Sequence, residues 1–224
     1  MRLRPSSVFD SYYAGRNAAA VVQLETARNG PPSLWVYGPT GVGKSHVLQA
    51  LCARAGAMGQ PAAYLPLREG GQVPEVLDGC EALSFVCLDD IDAVVGDAAW
   101  ERAVFRLYTE LEDRNGRLLI AATSPPSGTP IKLPDLASRL GAGGVVRLEQ
   151  LSDEEQIAAL QLRAVRLGLE LPQDVAQYLM RHLPRDMHSQ CEALDQLDEA
   201  SLATQRGLTV PFVREVLERR DGKS

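Results

Sequence analysis

The stretch YGPTGVGKSHV, Tyr37 to Val47, decides the fold of this chain because it matches the pattern G-x-x-x-x-G-K-[ST] at every fixed position. An apolar run suited to a β-strand, Leu34–Tyr37, precedes it, and a helical pattern of apolar residues begins at Val47. A strand, a glycine-rich loop and a helix in this order form the context in which such a loop holds phosphate. The sequence therefore predicts a phosphate-binding loop, or P-loop, over Gly38–Ser45.

Each residue type in this loop has a role in holding a nucleotide. Glycines let backbone N–H groups turn toward the β-phosphate, and the N-terminus of the following helix adds partial positive charge. Lys44 supplies a cation for the β- and γ-phosphates, and the Ser45 hydroxyl is a ligand for Mg²⁺. The candidate nucleotide-binding residues of the loop are Gly38, Pro39, Thr40, Gly41, Val42, Gly43, Lys44, Ser45 and His46.

A second chemical motif is an apolar run that ends in two aspartates. Phe85–Leu88 is suited to a buried parallel strand, and Asp89 and Asp90 follow it directly. A strand that ends in aspartate can deliver a carboxylate to the Mg²⁺ beside a P-loop. Two aspartates are also common turn residues, but after a complete P-loop they predict that Asp89 binds the metal. We expect Asp90 to orient the attacking water.

Composition limits the class of protein. A chain of 224 residues with 45% apolar residues is large enough for one big domain or two subdomains. It contains no run of about 18 apolar residues, and Pro5–Ser7 follows the basic start where a signal peptide would be apolar. We therefore expect no contact with a membrane. The net charge of −6, without a Lys/Arg-rich block, argues against broad electrostatic binding to duplex DNA.

Cysteine and histidine patterns predict neither disulfides nor a metal centre. Cys52, Cys80, Cys87 and Cys191 show no C-x-x-C spacing and lie in apolar surroundings, which is typical of buried, reduced thiols in a cytoplasmic protein. The three histidines form no metal-ligand pattern.

Strands and helices alternate up to about residue 150. Helices are predicted over 17–29, from Val47 onward, and over 98–114. The predicted strands are Leu34–Tyr37, Ala62–Leu65, Phe85–Leu88, Leu118–Ala121 and Val145–Leu148. This alternation predicts an α/β fold in which a five-stranded parallel sheet is flanked by helices.

From residue 151 the pattern is helical only. Ser152 and Glu155 fit a capping box ahead of an apolar helical stripe, and Pro172, Pro184 and Pro211 punctuate three further helices. We therefore expect a nucleotide-binding α/β subdomain over residues 1–150 and a small all-helical lid over residues 151–224.

These features together resemble the DnaA-related clade of the AAA+ ATPases. Phe9–Asn17 is similar to the clade's F-x-x-F-x-x-G-x-N box, which packs beside the adenine. Leu133–Leu140 resembles the box that carries the arginine finger, with Arg139 in the finger's place. The closing stretches Leu194–Asp198 and Leu208–Val213 look closest to the Hda family, the regulatory inactivators of DnaA.

The resemblance implies a function in the control of DNA replication. It implies binding of ADP or ATP with Mg²⁺, and regulatory inactivation of DnaA: stimulated hydrolysis of DnaA-bound ATP with the help of the DNA polymerase sliding clamp. Arg139 would act in trans on the partner's ATP. The nucleotide bound by this chain would then hold the chain in one conformation more than drive conformational changes by its hydrolysis. Its own ATPase activity and self-association are left open.

Three positions depart from the family pattern. His188 stands where the lid carries an arginine that reaches the nucleotide, and histidine is shorter and mostly neutral at pH 7. Thr123 offers a hydroxyl rather than a carboxylate at the strand end that senses the γ-phosphate. The family's N-terminal clamp-binding peptide, Q-L-x-L-[PF], has no clear counterpart in Met1–Pro5. How the clamp is contacted therefore stays open.

Two other functions remain open. A helicase loader of the DnaC type would also use Arg139 in trans, and such a loader, or another DnaA-like adaptor, would act on DnaA or the replicative helicase. A small-molecule P-loop kinase would need an arginine-rich lid, whereas this lid is acidic with apolar stripes. Because the sequence stops soon after the lid, we expect no helix-turn-helix domain and no sequence-specific binding to duplex DNA.

Overall fold

The computed structural model describes residues 12–26, 30–69, 71–184 and 186–221. Met1–Pro5 and the first part of the Phe9–Asn17 box lie outside these ranges. The chain divides into two units, with the boundary between Gln150 and Leu151. Within the described ranges, no helix is long and apolar enough to cross a membrane.

The first unit is built on a five-stranded parallel sheet in the order β2-β3-β4-β1-β5. Its strands are β1 (Ser33–Tyr37), β2 (Ala62–Pro66), β3 (Phe85–Asp89), β4 (Arg117–Ala122) and β5 (Gly144–Arg147). The central strands are apolar and buried along nearly their whole length because helices cover both faces of the sheet. The predicted fold class is confirmed, and β5 begins and ends one residue earlier than predicted.

Four helices cover the sheet: α1 (Ala18–Glu25), α2 (Lys44–Ala57), α3 (Ala98–Asp113) and α4 (Pro134–Ala142). Successive residues of β4 pack into two different apolar cores on the two faces of the sheet. Leu119 belongs to the core formed with α1 and α2. Leu118 and Ile120 join the core formed with α3 and α4. The helices therefore lie on opposite faces.

The first helix is shorter than predicted. A single 3₁₀ turn, Gly15–Asn17, precedes α1, and α1 ends at Glu25 rather than continuing to residue 29. Thr26 closes the helix, with its N–H bonded to the carbonyl of Val22. Residues 27–29 lie outside the described part of the chain.

The second unit consists of α5 (Asp153–Leu167), α6 (Gln173–His182), α7 (Met187–Thr204) and α8 (Val210–Asp221). These helices enclose one apolar core, which includes Leu160, Leu179, Leu194 and Phe212. The predicted capping box is present at the start of α5. The Ser152 N–H donates to Glu155 Oε2 at 2.8 Å, and the Glu155 N–H donates to Ser152 Oγ at 3.3 Å.

The cysteines are all free. Cys52, Cys80 and Cys87 are buried as expected, but Cys191 is only half-buried, so the expectation of burial is wrong there. The reason is its place on α7 beside Gln190, whose side chain takes the fully buried position instead.

Candidate functional site

The P-loop joins β1 to α2 at the carboxyl edge of the sheet, and glycine is required at two of its positions. A Cβ atom at Gly38 would come within 2.4 Å of the Leu148 carbonyl oxygen. Gly43 has a φ of +99° and directly precedes α2. A side chain at Gly38 would displace the backbone, and one at Gly43 would strain a left-handed conformation, so this loop conformation depends on glycine at both positions.

Lys44 is the first residue of α2, and its side chain is buried. Its ammonium group donates to the carbonyl oxygens of Gly38 at 2.8 Å and Pro39 at 2.9 Å. Burial lowers the pKa of Lys44, while nearby carboxylates, Asp90 first among them, act in the opposite direction. Both of its hydrogen-bond partners are neutral, so an anionic phosphate would be a stronger partner than either carbonyl.

Asp89 is the last residue of β3 and is only 2% exposed. Both oxygens of its carboxylate are engaged. Oδ1 accepts from the Asp90 N–H at 3.0 Å, and Oδ2 accepts from the Tyr64 hydroxyl at 2.5 Å. Tyr64 lies in β2, the neighbouring strand of the sheet. The sequence analysis did not identify it.

The two candidate Mg²⁺ ligands are an aspartate at the end of β3 and a serine in the first turn of α2. The Asp89 carboxylate acts to raise the pKa of Lys44, the residue that directly precedes Ser45. A carboxylate and a hydroxyl are the oxygen donors that Mg²⁺ takes beside nucleotide phosphates. The donors present therefore fit Mg²⁺ bound jointly with a nucleotide.

Asp90 follows directly and has a left-handed backbone, with a φ of +54°. Its Oδ2 accepts from Arg68 Nε at 3.1 Å, and the Arg68 side chain is 63% exposed. This ion pair is exposed and therefore weak. The role of Asp90 in orienting a water stays a prediction, and sequence reasoning missed its partner Arg68, which follows β2.

Thr123 lies immediately after β4 and is exposed. Its backbone N–H donates to Asp92 Oδ2 at 2.8 Å. Asp92, in a 3₁₀ turn after β3, thereby connects the ends of two adjacent strands and fixes the backbone that carries the Thr123 hydroxyl. Asp92 is a second supporting residue that the motif search overlooked.

Tyr12 is the first described residue of the Phe9–Asn17 box, and it lies beside the P-loop. Its ring meets the His46 ring edge-on, with centroids 5.5 Å apart. A Cβ atom at Gly43 would come within 3.1 Å of it. Burial raises the pKa of the Tyr12 hydroxyl to about 12, so this residue acts as a neutral, mostly apolar wall.

Asn17 closes the box by bonding to the end of the first unit. Its Nδ2 donates to the Glu149 carbonyl at 2.8 Å, and its Oδ1 accepts from the Glu149 N–H at 2.7 Å. Asn17 is 2% exposed. The amide thus makes two hydrogen bonds to the backbone of a single residue, which fixes Asn17, the last residue of the box, against the end of the first unit.

Arg139 lies on α4, and its contacts all come from α3. Its Nη1 donates to Glu112 Oε2 at 2.7 Å, and its side chain remains 41% exposed. The guanidinium group lies over the rings of Phe105 and Tyr108, 5.5 Å from each centroid. The candidate finger therefore lies on the surface of the first unit, held by an ion pair and two aromatic faces.

The start of α4 is positioned by Glu101, a buried residue in the first turn of α3. Its carboxylate accepts from the backbone N–H groups of Gly96 at 2.8 Å, Lys132 at 3.0 Å and Leu133 at 2.7 Å. Burial by itself raises the pKa of Glu101, but these backbone hydrogen bonds outweigh it and lower the pKa. The segment that leads into the Arg139 helix is thus anchored to α3.

His188 belongs to the second unit, in the first turn of α7. Its Nε2 lies 3.1 Å from Glu192 Oε1, one turn further along the helix, and its side chain is 62% exposed. Its role at the nucleotide stays a prediction.

Comparison with known proteins assigns a similarity to each unit. Residues 153–217 match the family model for the Hda lid domain, and residues 34–111 match that for RNA helicase. Domain III of the replication initiation protein DnaA from Thermotoga maritima is similar over 98% of both chains, with a TM-score of 0.80 and 18% identity.

Two other solved structures extend this comparison. AMPPCP-bound DnaA from Aquifex aeolicus is similar over 100% of this chain and 71% of its own, with a TM-score of 0.75 and 20% identity. The RuvB Holliday junction branch migration motor of Thermotoga maritima covers 96% and 72%, with a TM-score of 0.69 and 15% identity. These similarities establish the AAA+ fold, and the lid match adds the Hda type of helical subdomain.

Proposed function

Because the chain joins the AAA+ fold seen in DnaA to a lid that matches the Hda lid domain, we propose that it is a DnaA-related regulator of replication initiation. It binds ADP or ATP with Mg²⁺ at the P-loop and stimulates the hydrolysis of ATP held by DnaA. It acts in the cytoplasm, together with the DNA polymerase sliding clamp. The observation that carries this proposal is the match of residues 153–217 to the Hda lid domain.

The position of Arg139 supports an action in trans. The guanidinium group is half-exposed, and the partners that the structure gives it belong to α3 rather than to the P-loop. An arginine offered to a neighbour neutralises the charge that develops on the γ-phosphate, which accelerates hydrolysis by roughly 10³- to 10⁵-fold in known cases. Arg139 is the residue to which we assign this role.

The nucleotide bound by this chain serves as a structural element rather than as fuel. His188 and Thr123 occupy positions where a stronger γ-phosphate partner would stand. A conformational switch requires that ATP and ADP differ in their contacts with the protein. With those contacts weakened, bound ADP holds the chain in one active conformation.

Two substitutions distinguish the role of bound nucleotide from the role of Arg139. Lys44→Ala removes the cation of the P-loop and should abolish both nucleotide binding and stimulation of DnaA. Arg139→Ala should leave nucleotide binding unchanged but remove stimulation, by roughly 10³-fold or more. The measurements are equilibrium binding of fluorescent ADP, and hydrolysis of DnaA-bound ATP in the presence of DNA-loaded clamp.

Arg106→Ala is the matched control, because Arg106 is an exposed arginine of α3 that pairs with Asp78. It should preserve both activities. Brisk ATP turnover by this chain alone, together with full stimulation by Arg139→Ala, would contradict the proposal. Binding to the replicative helicase in place of DnaA would favour the helicase-loader alternative.

A further inference from the structure

Tyr64 is the residue of the site that no sequence motif explains. It lies in the middle of β2, and residues of this strand pair in register with those of β3, so that Tyr64 stands opposite Cys87. Its side chain is half-buried. The hydroxyl donates to Asp89 Oδ2 at 2.5 Å, across two elements that are far apart in sequence. Tyr64 therefore contacts the carboxylate that is proposed to bind the metal.

We propose that Tyr64 is a positioning residue for Mg²⁺, acting through Asp89. This inference rests on the proposed nucleotide site. Asp89 is almost fully buried, and its other oxygen is held by the Asp90 N–H. With Tyr64 fixing Oδ2, the carboxylate plane has a single orientation before the metal binds. Partners of this kind orient metal ligands, and their loss costs about 10- to 100-fold in metal affinity.

The test is Tyr64→Phe in the full chain, with Mg²⁺ titrated into protein and fluorescent ADP. Binding without Mg²⁺, in EDTA, should stay near the wild-type level, because the P-loop is unchanged. The Mg²⁺ concentration at half-effect should rise by about 10- to 100-fold. Tyr108→Phe is the matched control, since Tyr108 is a buried tyrosine whose hydroxyl faces Glu112 on α3. It should leave the Mg²⁺ midpoint unchanged.

A double substitution separates positioning from a general loss of structure. If Tyr64 acts through Asp89, Tyr64→Phe should add no further loss of Mg²⁺ dependence to that of Asp89→Asn. An unchanged Mg²⁺ midpoint in Tyr64→Phe, or an equal loss of affinity with and without Mg²⁺, would overturn this assignment while leaving the proposed function intact. Wild-type protein without Mg²⁺-dependent nucleotide binding would overturn both.

Discussion

Arg139 is held at rest by contacts that are individually weak. Both partners of its ion pair with Glu112 are well exposed, at 41% and 37% of the side chain. Such surface pairs contribute roughly 0.2–1 kcal/mol, and an exposed cation–π contact about 0.5–1 kcal/mol. A desolvated triphosphate offers a guanidinium group a stronger partner than either contact. These contacts are therefore weak enough for Arg139 to act on a neighbouring ATP in the way proposed above.

Glu112→Gln should make Arg139 easier to recruit. Because the carboxylate competes with the partner's phosphate, its loss should lower the concentration needed for half-maximal stimulation of DnaA by roughly 1.5- to 5-fold. Thermal unfolding should change little. The matched control is Asp78→Asn, which removes the carboxylate of another exposed ion pair that involves α3, the pair with Arg106. Weaker stimulation by Glu112→Gln would show instead that Glu112 holds Arg139 in its working position.

Sequence motifs could propose Lys44, Ser45, Asp89 and Asp90 as candidate site residues, because each stands at a fixed position in a local pattern. They missed Tyr64, whose importance depends on a contact with a residue 25 positions away. The other missed partners share this property, since each touches its site residue only after strands have paired or helices have packed. They are Arg68 with Asp90, Asp92 with Thr123 and Glu112 with Arg139.

At the scale of elements, the position of α4 depends on one buried carboxylate. Glu101 accepts hydrogen bonds from the segment that enters α4 and from the turn that precedes α3. Without this carboxylate, the backbone N–H groups of Gly96, Lys132 and Leu133 would need other hydrogen-bond partners. The loop before α4 is therefore stabilised by α3 as well as by hydrogen bonds of its own.

Glu101→Gln should lower the free energy of unfolding at neutral pH by about 1–3 kcal/mol, because the amide cannot accept from all three donors. The pKa of Glu101 is lowered in the folded state. Its ionisation therefore stabilises the fold above the unfolded value, near 4.3, and this contribution is lost as pH falls through the folded pKa. The difference between wild type and Glu101→Gln should shrink as the solution is acidified.

Denaturant unfolding followed by tryptophan fluorescence measures this difference, because Trp35 and Trp100 both lie in the first unit. Glu110→Gln, on the same helix, is the control and should show no comparable dependence on pH. A constant difference from pH 7 to pH 3 would show that Glu101 acts through shape rather than charge.

The elements themselves could be predicted well because their apolar periods are strong. The strands over 34–37 and 85–88 were recovered to within one residue at each end. The error at α1 arose because the apolar run through Val22 gives no stop signal before residue 29. The helix ends at Glu25, where Thr26 bonds back to the preceding turn, and propensity alone does not show this.

At the scale of the whole molecule, the net charge is negative, and several of the positive side chains form ion pairs with carboxylates. The chain carries a net charge of −6. Several of its arginines are paired with carboxylates in the structure: Arg54 with Glu25, Arg68 with Asp90, Arg106 with Asp78, Arg139 with Glu112, Arg163 with Asp195 and Arg206 with Glu215. Cations that already face carboxylates contribute little to the attraction of a phosphate backbone.

We therefore predict negligible binding of the isolated chain to duplex origin DNA at physiological salt. The measurement is an electrophoretic shift with labelled origin DNA, using DnaA as the positive control. A footprint, or a shift at nanomolar protein, would contradict the prediction. Binding only at very low salt would not, because counterion release inflates weak electrostatic binding there.

The two hydrogen bonds between Asn17 and Glu149 hold Asn17, near the start of the described part of the first unit, beside Glu149, near the end of that unit. When the two ends of a folded segment lie this close, they can be joined and the chain can be opened elsewhere without a change of fold. A short linker could join the two ends, and new termini could be opened at the exposed turn around Gly59, where even an added Cβ atom would meet nothing. The nucleotide-binding unit is therefore suited to circular permutation and to insertion as a cassette within another protein.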